Sequence, residues 1–223
     1  SGRNLITIPI SLYSKAAEII SLNLSRNLSL DVPRDFIQSC KHLRDIKFNN
    51  NEARKLPPSL SRANKLTFLD VANNRLEQLE HAELHILTGI LKMNLANNRL
   101  KHIPSYFGAY LSLRSLNISS NFLDKFPLFL CNLPSLVDLD LSFNGIATIP
   151  PEISGLQNLE KLLITNNRLT HAVPASFRQL ISLRELDIKY NGITSIDIIS
   201  ELPKLEILSA DHNCVSSFVG QFE

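Results

Sequence analysis

Hydrophobic and polar residues alternate along this chain in short groups that return at a fixed spacing. In the central unit, Leu136, Leu139 and Leu141 are followed by Asn144 and Ile146. The alternation around Leu139 and Leu141 is what a short strand with one buried face requires. The frame returns about every 23 residues, and its positions are marked by nine asparagines: Asn27, Asn51, Asn74, Asn98, Asn121, Asn144, Asn167, Asn191 and Asn213.

Each unit reads L-x-x-L-x-L-x-x-N-x-L, which is the pattern and the period of a leucine-rich repeat. It predicts an α/β repeat solenoid: a leucine-rich-repeat horseshoe with a concave parallel sheet and a mostly irregular convex side. Proline follows the last apolar position of most units, as in Ile103-Pro104 and Ile149-Pro150, and turns the chain away from the strand. The asparagine amide carries donors and an acceptor, so we predict that the nine asparagines form a structural ladder that pairs backbone groups of neighbouring units.

Two units depart from the frame. In the first, Leu79-Glu80 stands where most units have an apolar residue followed by proline, and the helix-compatible segment from His81 to Leu87 comes next, which predicts one real helix on the convex side. One extra residue between Leu169 and Val173 predicts a bulge in that loop.

The pattern starts and stops inside a unit. Residues 1–223 are therefore expected to form a single leucine-rich-repeat domain of about nine full repeats with truncated units at both ends. Neither end shows a polar cap, so we expect this domain to be a fragment of a larger protein, with flanking domains in the same parent chain.

Composition narrows the class of partner. A net charge of +2 on 223 residues gives no overall attraction to nucleic acid, and no apolar run approaches the roughly 20 residues of a membrane span. The three cysteines, Cys40, Cys131 and Cys214, lie far apart, whereas secreted repeat proteins close their ends with clustered disulfides. We therefore expect packing cysteines and a cytoplasmic protein that inserts into no membrane.

No catalytic pattern is present. The seven glycines are isolated, so a phosphate-binding loop is not expected. His81 and His85 are four residues apart, but Ala82 stands where a metalloprotease motif has glutamate. We expect no metal, no cofactor and no catalytic residue in this segment, which is predicted to be no enzyme.

A partner is expected on the concave face, where the second, third, fifth, seventh and eighth residues of each unit should point outward in columns. Exposed aromatic and aliphatic residues, which anchor interfaces, stand among charged and amide side chains in these columns. The predicted concave-face binding residues are Arg44, Lys47, Phe68, Asp70, Lys92, Asn94, Arg114, Asn117, Asp138, Asp140, Phe143, Leu163 and Tyr190.

Charge is divided along these columns. Cations at Arg44, Lys47, Lys92 and Arg114 belong to the first half. Acidic residues dominate the second half, at Asp138, Asp140, Glu160, Glu185, Asp187, Glu206 and Asp211. An alternative binding site is predicted on the ascending edge of the solenoid, where the chain has just passed a ladder asparagine. It consists of Arg75, Arg99 and Arg168.

The amino-acid sequence of several units resembles the leucine-rich-repeat region of fungal adenylate cyclases. The resemblance rests on runs such as Ile20-Ser21-Leu22-Asn23-Leu24-Ser25-Arg26-Asn27 and Leu136-Val137-Asp138-Leu139-Asp140-Leu141-Ser142-Phe143-Asn144, and it covers essentially the whole chain. It implies a regulatory segment that receives a GTP-bound Ras-type small GTPase, within a cyclase that reaches the inner face of the plasma membrane through partners. The competing hypothesis is a scaffold or adaptor that joins a small GTPase to a phosphatase or another signalling protein.

Overall fold

A nine-stranded parallel sheet forms one face of the molecule in the computed structural model, which describes residues 7–216. Each strand pairs with the strand of the next repeat without a register shift, which confirms the predicted sheet. The strands are Ser21–Asn23 (β1), Asp45–Lys47 (β2), Phe68–Asp70 (β3), Lys92–Asn94 (β4), Ser115–Asn117 (β5), Asp138–Asp140 (β6), Lys161–Leu163 (β7), Glu185–Asp187 (β9) and Ile207–Ser209 (β11).

The core lies between this sheet and the opposite side of the solenoid. The central residue of each inner strand points inward, as Leu69, Leu116, Leu139 and Leu162 do, with at most 1% of the residue exposed. Buried apolar residues join in one cluster that runs from Ile8 to Leu202. Each repeat thus buries its apolar face against its neighbours.

The asparagine ladder has the predicted geometry, as Asn98 illustrates. Its side-chain amide donates to the carbonyl of Leu95 in its own repeat at 3.1 Å and to that of Val71 in the preceding repeat at 3.2 Å. Its Oδ1 accepts the backbone N–H of Leu76 at 3.1 Å. The same amide bond back to the preceding repeat recurs from Asn51 to Asn213, so the ladder links successive turns of the chain.

The convex side consists of loops and single helical turns. Proline is the N-cap residue of seven of these turns, because its fixed φ starts a turn after an extended residue. One turn is α-helical, Arg34–Ser39 (α1). The others are 3-10 helices: Ile10–Glu18, Pro58–Arg62, Glu80–Ala82, Leu84–Ile86, Ser105–Ala109, Leu128–Asn132, Pro151–Gly155, Ala175–Gln179 and Asp197–Glu201.

The prediction of a helix between His81 and Leu87 was wrong. Two 3-10 turns, Glu80–Ala82 and Leu84–Ile86, occupy that segment, and Glu83 between them has a left-handed backbone with φ 53°. The buried residues Ala82, Leu84 and Leu87 are two and three apart, which does not give the 3.6-residue period of an α-helix.

A small second sheet lies at the inserted residue after Asn167. Thr170–Ala172 (β8) pairs in parallel with Gly192–Ser195 (β10), and the register shifts between Ile193 and Ser195. The extra residue therefore does change the path of this loop, with His171 at φ 66°. The truncated units expected at the two ends lie partly outside the described residues.

Candidate protein-binding surfaces

The predicted concave-face columns coincide with the sheet register. Third-position residues pair in the order Asp45, Phe68, Lys92, Ser115 and Asp138, and fifth-position residues align in the same way on the same face. The strands therefore bring the predicted residues of different repeats together in rows. We refer to this surface as the concave face.

The four cations of the first half are available to a partner. Within residues 7–216, Arg44, Lys47, Lys92 and Arg114 take part in no ion pair, and Arg44, Lys92 and Arg114 are exposed. The Lys92 Nζ lies 5.4 Å from the ring centroid of half-buried Phe68. This cation–π contact holds an ammonium group and an aromatic ring together on neighbouring strands.

The charges of the second half are largely paired with one another. Arg184 contacts Glu160 at 3.3 Å and Glu206 at 3.0 Å, and Lys161 contacts Glu185 at 3.4 Å. A partner that bound these groups would have to replace interactions that already exist. The acidic half is therefore less available than its composition indicates.

Several fifth-position residues also have a structural role that the sequence analysis did not assign. The Oδ1 atoms of Asp70, Asn94, Asn117 and Asp140 each accept the backbone N–H two residues ahead, at 2.9–3.1 Å. Such Asx turns end the strand. Asn94 and Asn117 thus serve the backbone, and their contact with a partner stays a prediction.

The seventh position does not point outward throughout, contrary to the prediction. Ser25, Ala72 and Ser142 are buried, and the Ser25 hydroxyl accepts the backbone N–H of Asn49 at 2.9 Å. Small residues fit there because the chain bends inward toward the ladder asparagine. Only the other columns remain candidates along their whole length.

The eighth position always has a left-handed backbone, since the residue before each ladder asparagine has φ between 53° and 62°. Asparagine tolerates this conformation and occupies four of the nine positions. Phe143 and Tyr190 adopt it with 53% and 50% of the residue exposed. Tyr190 stacks on His212 with centroids 4.2 Å apart, whereas Phe143 has no aromatic partner among the described residues.

The ascending edge carries its arginines in one column. The backbone N–H of Arg75, Arg99 and Arg168 each donates to a carbonyl of the preceding repeat. Arg75 is ion-paired with Glu52 at 3.6 Å, while Arg99 and Arg168 are exposed and form no ion pair within the described residues.

The sequence analysis assigned only the arginines of this edge column and overlooked two members that lie between Arg99 and Arg168. Phe122 and Gly145 follow their ladder asparagines just as the arginines do, and Phe122 is 59% exposed. An alignment of the residues directly after the nine asparagines would have revealed both.

Between residues 7 and 216, no group of three or more His, Cys, Asp or Glu side chains could hold a metal ion. His85 packs edge-to-face against Tyr106. None of the described helices is long and apolar enough to cross a membrane.

The cysteines are only partly as expected. Cys40 and Cys131 are buried, and burial, with a smaller effect of Glu152, raises the pKa of the Cys131 thiol to about 12. Cys214 is exposed, so it is not a packing residue. It stands in the column directly after the ladder asparagines, which lies at the surface.

Known proteins resemble this chain both in the repeat pattern and in the amino-acid sequence. Family models described as leucine-rich repeats match residues 157–215, 112–133 and 135–156. A leucine-rich-repeat protein of Leptospira interrogans superimposes with a TM-score of 0.89 at 29% identity, over 98% of this chain and 55% of that one. Over all 223 residues, the chain is 63% identical to an adenylate cyclase of Podospora anserina and 66% identical to one of Neurospora crassa.

The chain spans 10% of the length of each of these cyclases. A segment that matches this tenth and folds as a repeat solenoid is not itself catalytic. A leucine-rich-repeat fold is instead a protein-interaction module, which presents stacked side chains over an extended surface. The chain thus has the fold of a leucine-rich-repeat solenoid, and over its full length it is similar to a segment of fungal adenylate cyclases.

Proposed function

We propose that this chain is the region of a fungal adenylate cyclase that binds a GTP-bound Ras-type small GTPase and thereby controls cyclic AMP production. Its identity to fungal cyclases over the whole chain supports this proposal. In this view the segment works in the cytoplasm, and its partner brings the parent protein to the inner face of the plasma membrane.

The observation that carries the proposal is the set of unpaired cations on the first half of the concave face. Lys47 and Lys92 stand on β2 and β4, on either side of Phe68 on β3. The effector-facing surface of Ras-type GTPases is acidic, as the family resemblance implies, so these ammonium groups have natural counter-charges there. Phe68 would be buried at the centre of the contact, where aromatic anchors contribute most.

The dimensions of the sheet fit one small GTPase. Nine strands at about 4.8 Å give an inner arc of roughly 38 Å. A compact domain of about 170 residues has a radius of gyration near 15 Å and hence a diameter of roughly 40 Å.

Binding to a purified Ras-type GTPase tests the proposal. The affinity of this chain should be measured by titration calorimetry against the GTPase loaded with a non-hydrolysable GTP analogue and with GDP. We expect tighter binding of the GTP form. The double variant Lys47→Glu, Lys92→Glu should weaken it at least tenfold, because each reversal replaces an attraction by a repulsion.

Matched reversals elsewhere on the chain provide the control. Lys41→Glu with Lys125→Glu changes the net charge equally, but both lysines are exposed and lie outside the sheet. Unchanged affinity in this control is expected. If the Lys47 and Lys92 reversals leave affinity intact while changes at Arg75, Arg99 and Arg168 abolish it, the GTPase binds the ascending edge and the concave-face proposal is wrong.

A further inference from the structure

A notch opens on the ascending edge where the arginine column is interrupted. Arg99 and Phe122 occupy the column position in two successive repeats, and the next repeat has Gly145. A cavity of about 490 Å³ lies there, lined by Phe122, Phe143, Gly145 and Arg168, with Asp124 among the other lining residues. We call this cavity the edge notch. Gly145 has no side chain at the column position where the neighbouring repeats carry Phe122 and Arg168.

Two phenylalanine rings of adjacent repeats line the edge notch. Phe122 is 59% exposed and Phe143 is 53% exposed. Phe143 also has a left-handed backbone, with φ 56°, at a position where Asn97 and Asn166 show the residue type that this conformation favours. A bulky, exposed residue held in this conformation contributes little to folding, and this makes Phe143 a candidate for binding.

Unpaired guanidinium groups lie on both sides of the rings. Arg168 lines the notch itself, and Arg99 is one repeat away from Phe122 in the same column. Neither forms an ion pair with a described residue, in contrast to Arg75, which is paired with Glu52 at 3.6 Å. The notch therefore offers an apolar centre with one guanidinium group, that of Arg168, in its lining, and Arg99 lies one repeat beyond Phe122.

The charge of the surroundings limits the class of ligand. The carboxylate of Asp124 lines the same cavity and would repel a closely spaced series of phosphates more strongly than a single carboxylate, which can be oriented toward Arg168. The net charge of the chain is only +2, which gives no long-range attraction to a polyanion. A ligand with an apolar side chain and one or two carboxylates matches the notch better than nucleic acid or an anionic membrane does.

We propose that the edge notch binds a short segment of a partner protein that presents an aromatic or branched apolar side chain with a carboxylate close to it. The apolar side chain packs against Phe122 and Phe143 above Gly145. The carboxylate pairs with Arg168 or Arg99, in the planar geometry that guanidinium groups favour. This surface is distinct from the first half of the concave face, and the inference does not depend on the GTPase.

Selection from a random peptide library displayed on phage tests this inference. The bait is the wild-type chain, and counter-selection uses Gly145→Leu, which fills the notch without changing the charge. Leu28 shows that leucine occurs at this column position in another repeat. A Cβ at Gly145 would lie 3.3 Å from the carbonyl oxygen of Leu123, so a small local shift is needed. We expect enrichment of peptides that combine an aromatic or branched apolar residue with Asp or Glu within a few positions.

A second variant keeps the test independent of how well Gly145→Leu folds. Phe143→Asn removes one ring and places at this position the residue type that its backbone favours, so its melting temperature should equal or exceed that of the wild type. In fluorescence anisotropy, an enriched peptide should bind at least tenfold more weakly to both variants, and more weakly to Arg168→Gln. Phe129→Asn removes a partly exposed phenylalanine on the convex side, outside the notch, and should leave the affinity unchanged.

Three results would overturn the inference. One is the absence of any peptide that prefers the wild type over Gly145→Leu, and another is enrichment of peptides without acidic residues. The third is binding of a labelled oligothymidylate or of phosphatidylserine vesicles that depends on Phe143 while peptides do not bind. The Lys47→Glu, Lys92→Glu variant should bind the selected peptide normally, which separates this surface from the proposed GTPase site.

Discussion

Asp138, on strand β6, places a carboxylate on the concave face and lowers the stability of the fold by doing so. Its burial raises the pKa of the carboxyl, Lys161 and Lys92 oppose this effect, and Asp140 and Glu185 reinforce it. Because the folded state holds the proton more tightly than the unfolded chain, ionisation of Asp138 at neutral pH works against folding. A residue whose charge lowers the stability of the fold is a candidate for a role in binding, and Asp138 is such a residue.

The substitution Asp138→Asn should therefore increase the free energy of unfolding at pH 7. The gain over the wild type should shrink as the pH falls through the raised pKa, and it should vanish below the ordinary value of 3.8, where the wild-type carboxyl is protonated in both states. Urea denaturation at a series of pH values measures it. Asp124→Asn, at an exposed position, is the control, and a gain that stayed constant at low pH would contradict the stated cause.

At this scale the sequence predicted the residues whose role repeats in every unit. The ladder asparagines are recognisable because one position keeps one residue type nine times. The Asx turns of Asp70 and Asn117 escaped notice because aspartate and asparagine alternate there with Lys47 and Leu163. Ion pairs such as Arg184 with Glu160 depend on rotamers, which a column of letters does not specify.

At the scale of the element, each strand is held by the repeats on both sides of it. Leu139, at the centre of β6, is fully buried between Leu116 on β5 and Leu162 on β7. Removing its side chain leaves a cavity that the rigid stack cannot close. Leu139→Ala should therefore lower the free energy of unfolding by about 2 to 5 kcal/mol in chemical denaturation.

An identical substitution at an exposed site is the control for Leu139→Ala. Leu128 is 50% exposed on the convex side, so Leu128→Ala should change the free energy of unfolding by less than about 0.5 kcal/mol. A loss below about 1 kcal/mol for Leu139→Ala would mean that the repeat frame is misassigned.

The convex elements were harder to predict than the strands because their local signals compete. The helix expected near His81 gave way to two 3-10 turns, while α1 formed where Phe36, Ile37 and Cys40 are buried at helical spacing. A hydrophobic period of 3.6 over a single turn involves too few residues to stand out. The strand, in contrast, is repeated in every unit and reinforced by its neighbours.

For the whole molecule, the periodicity of the sequence predicted the solenoid and its sheet, but not which surface a partner would use. That choice depends on which charges remain unpaired after folding. The cations on β2 and β4 form no ion pair in the described chain, while the second half carries ion pairs between Lys161 and Glu185 and between Lys189 and Asp187. Folding therefore leaves a positive first half that can act at a distance.

This charge separation predicts how the association rate with a GTP-loaded Ras-type GTPase depends on salt. Steering by complementary charge acts mainly on the encounter rate and is screened over about 8 Å at physiological ionic strength. Stopped-flow association should therefore slow steeply between low and physiological salt for the wild type. For Lys47→Glu, Lys92→Glu it should be slower and nearly independent of salt, whereas Lys41→Glu, Lys125→Glu should keep most of the wild-type slope. If the association rates of both double variants depended equally on salt, only the net charge would matter. The GTPase would then not bind at the first half of the concave face.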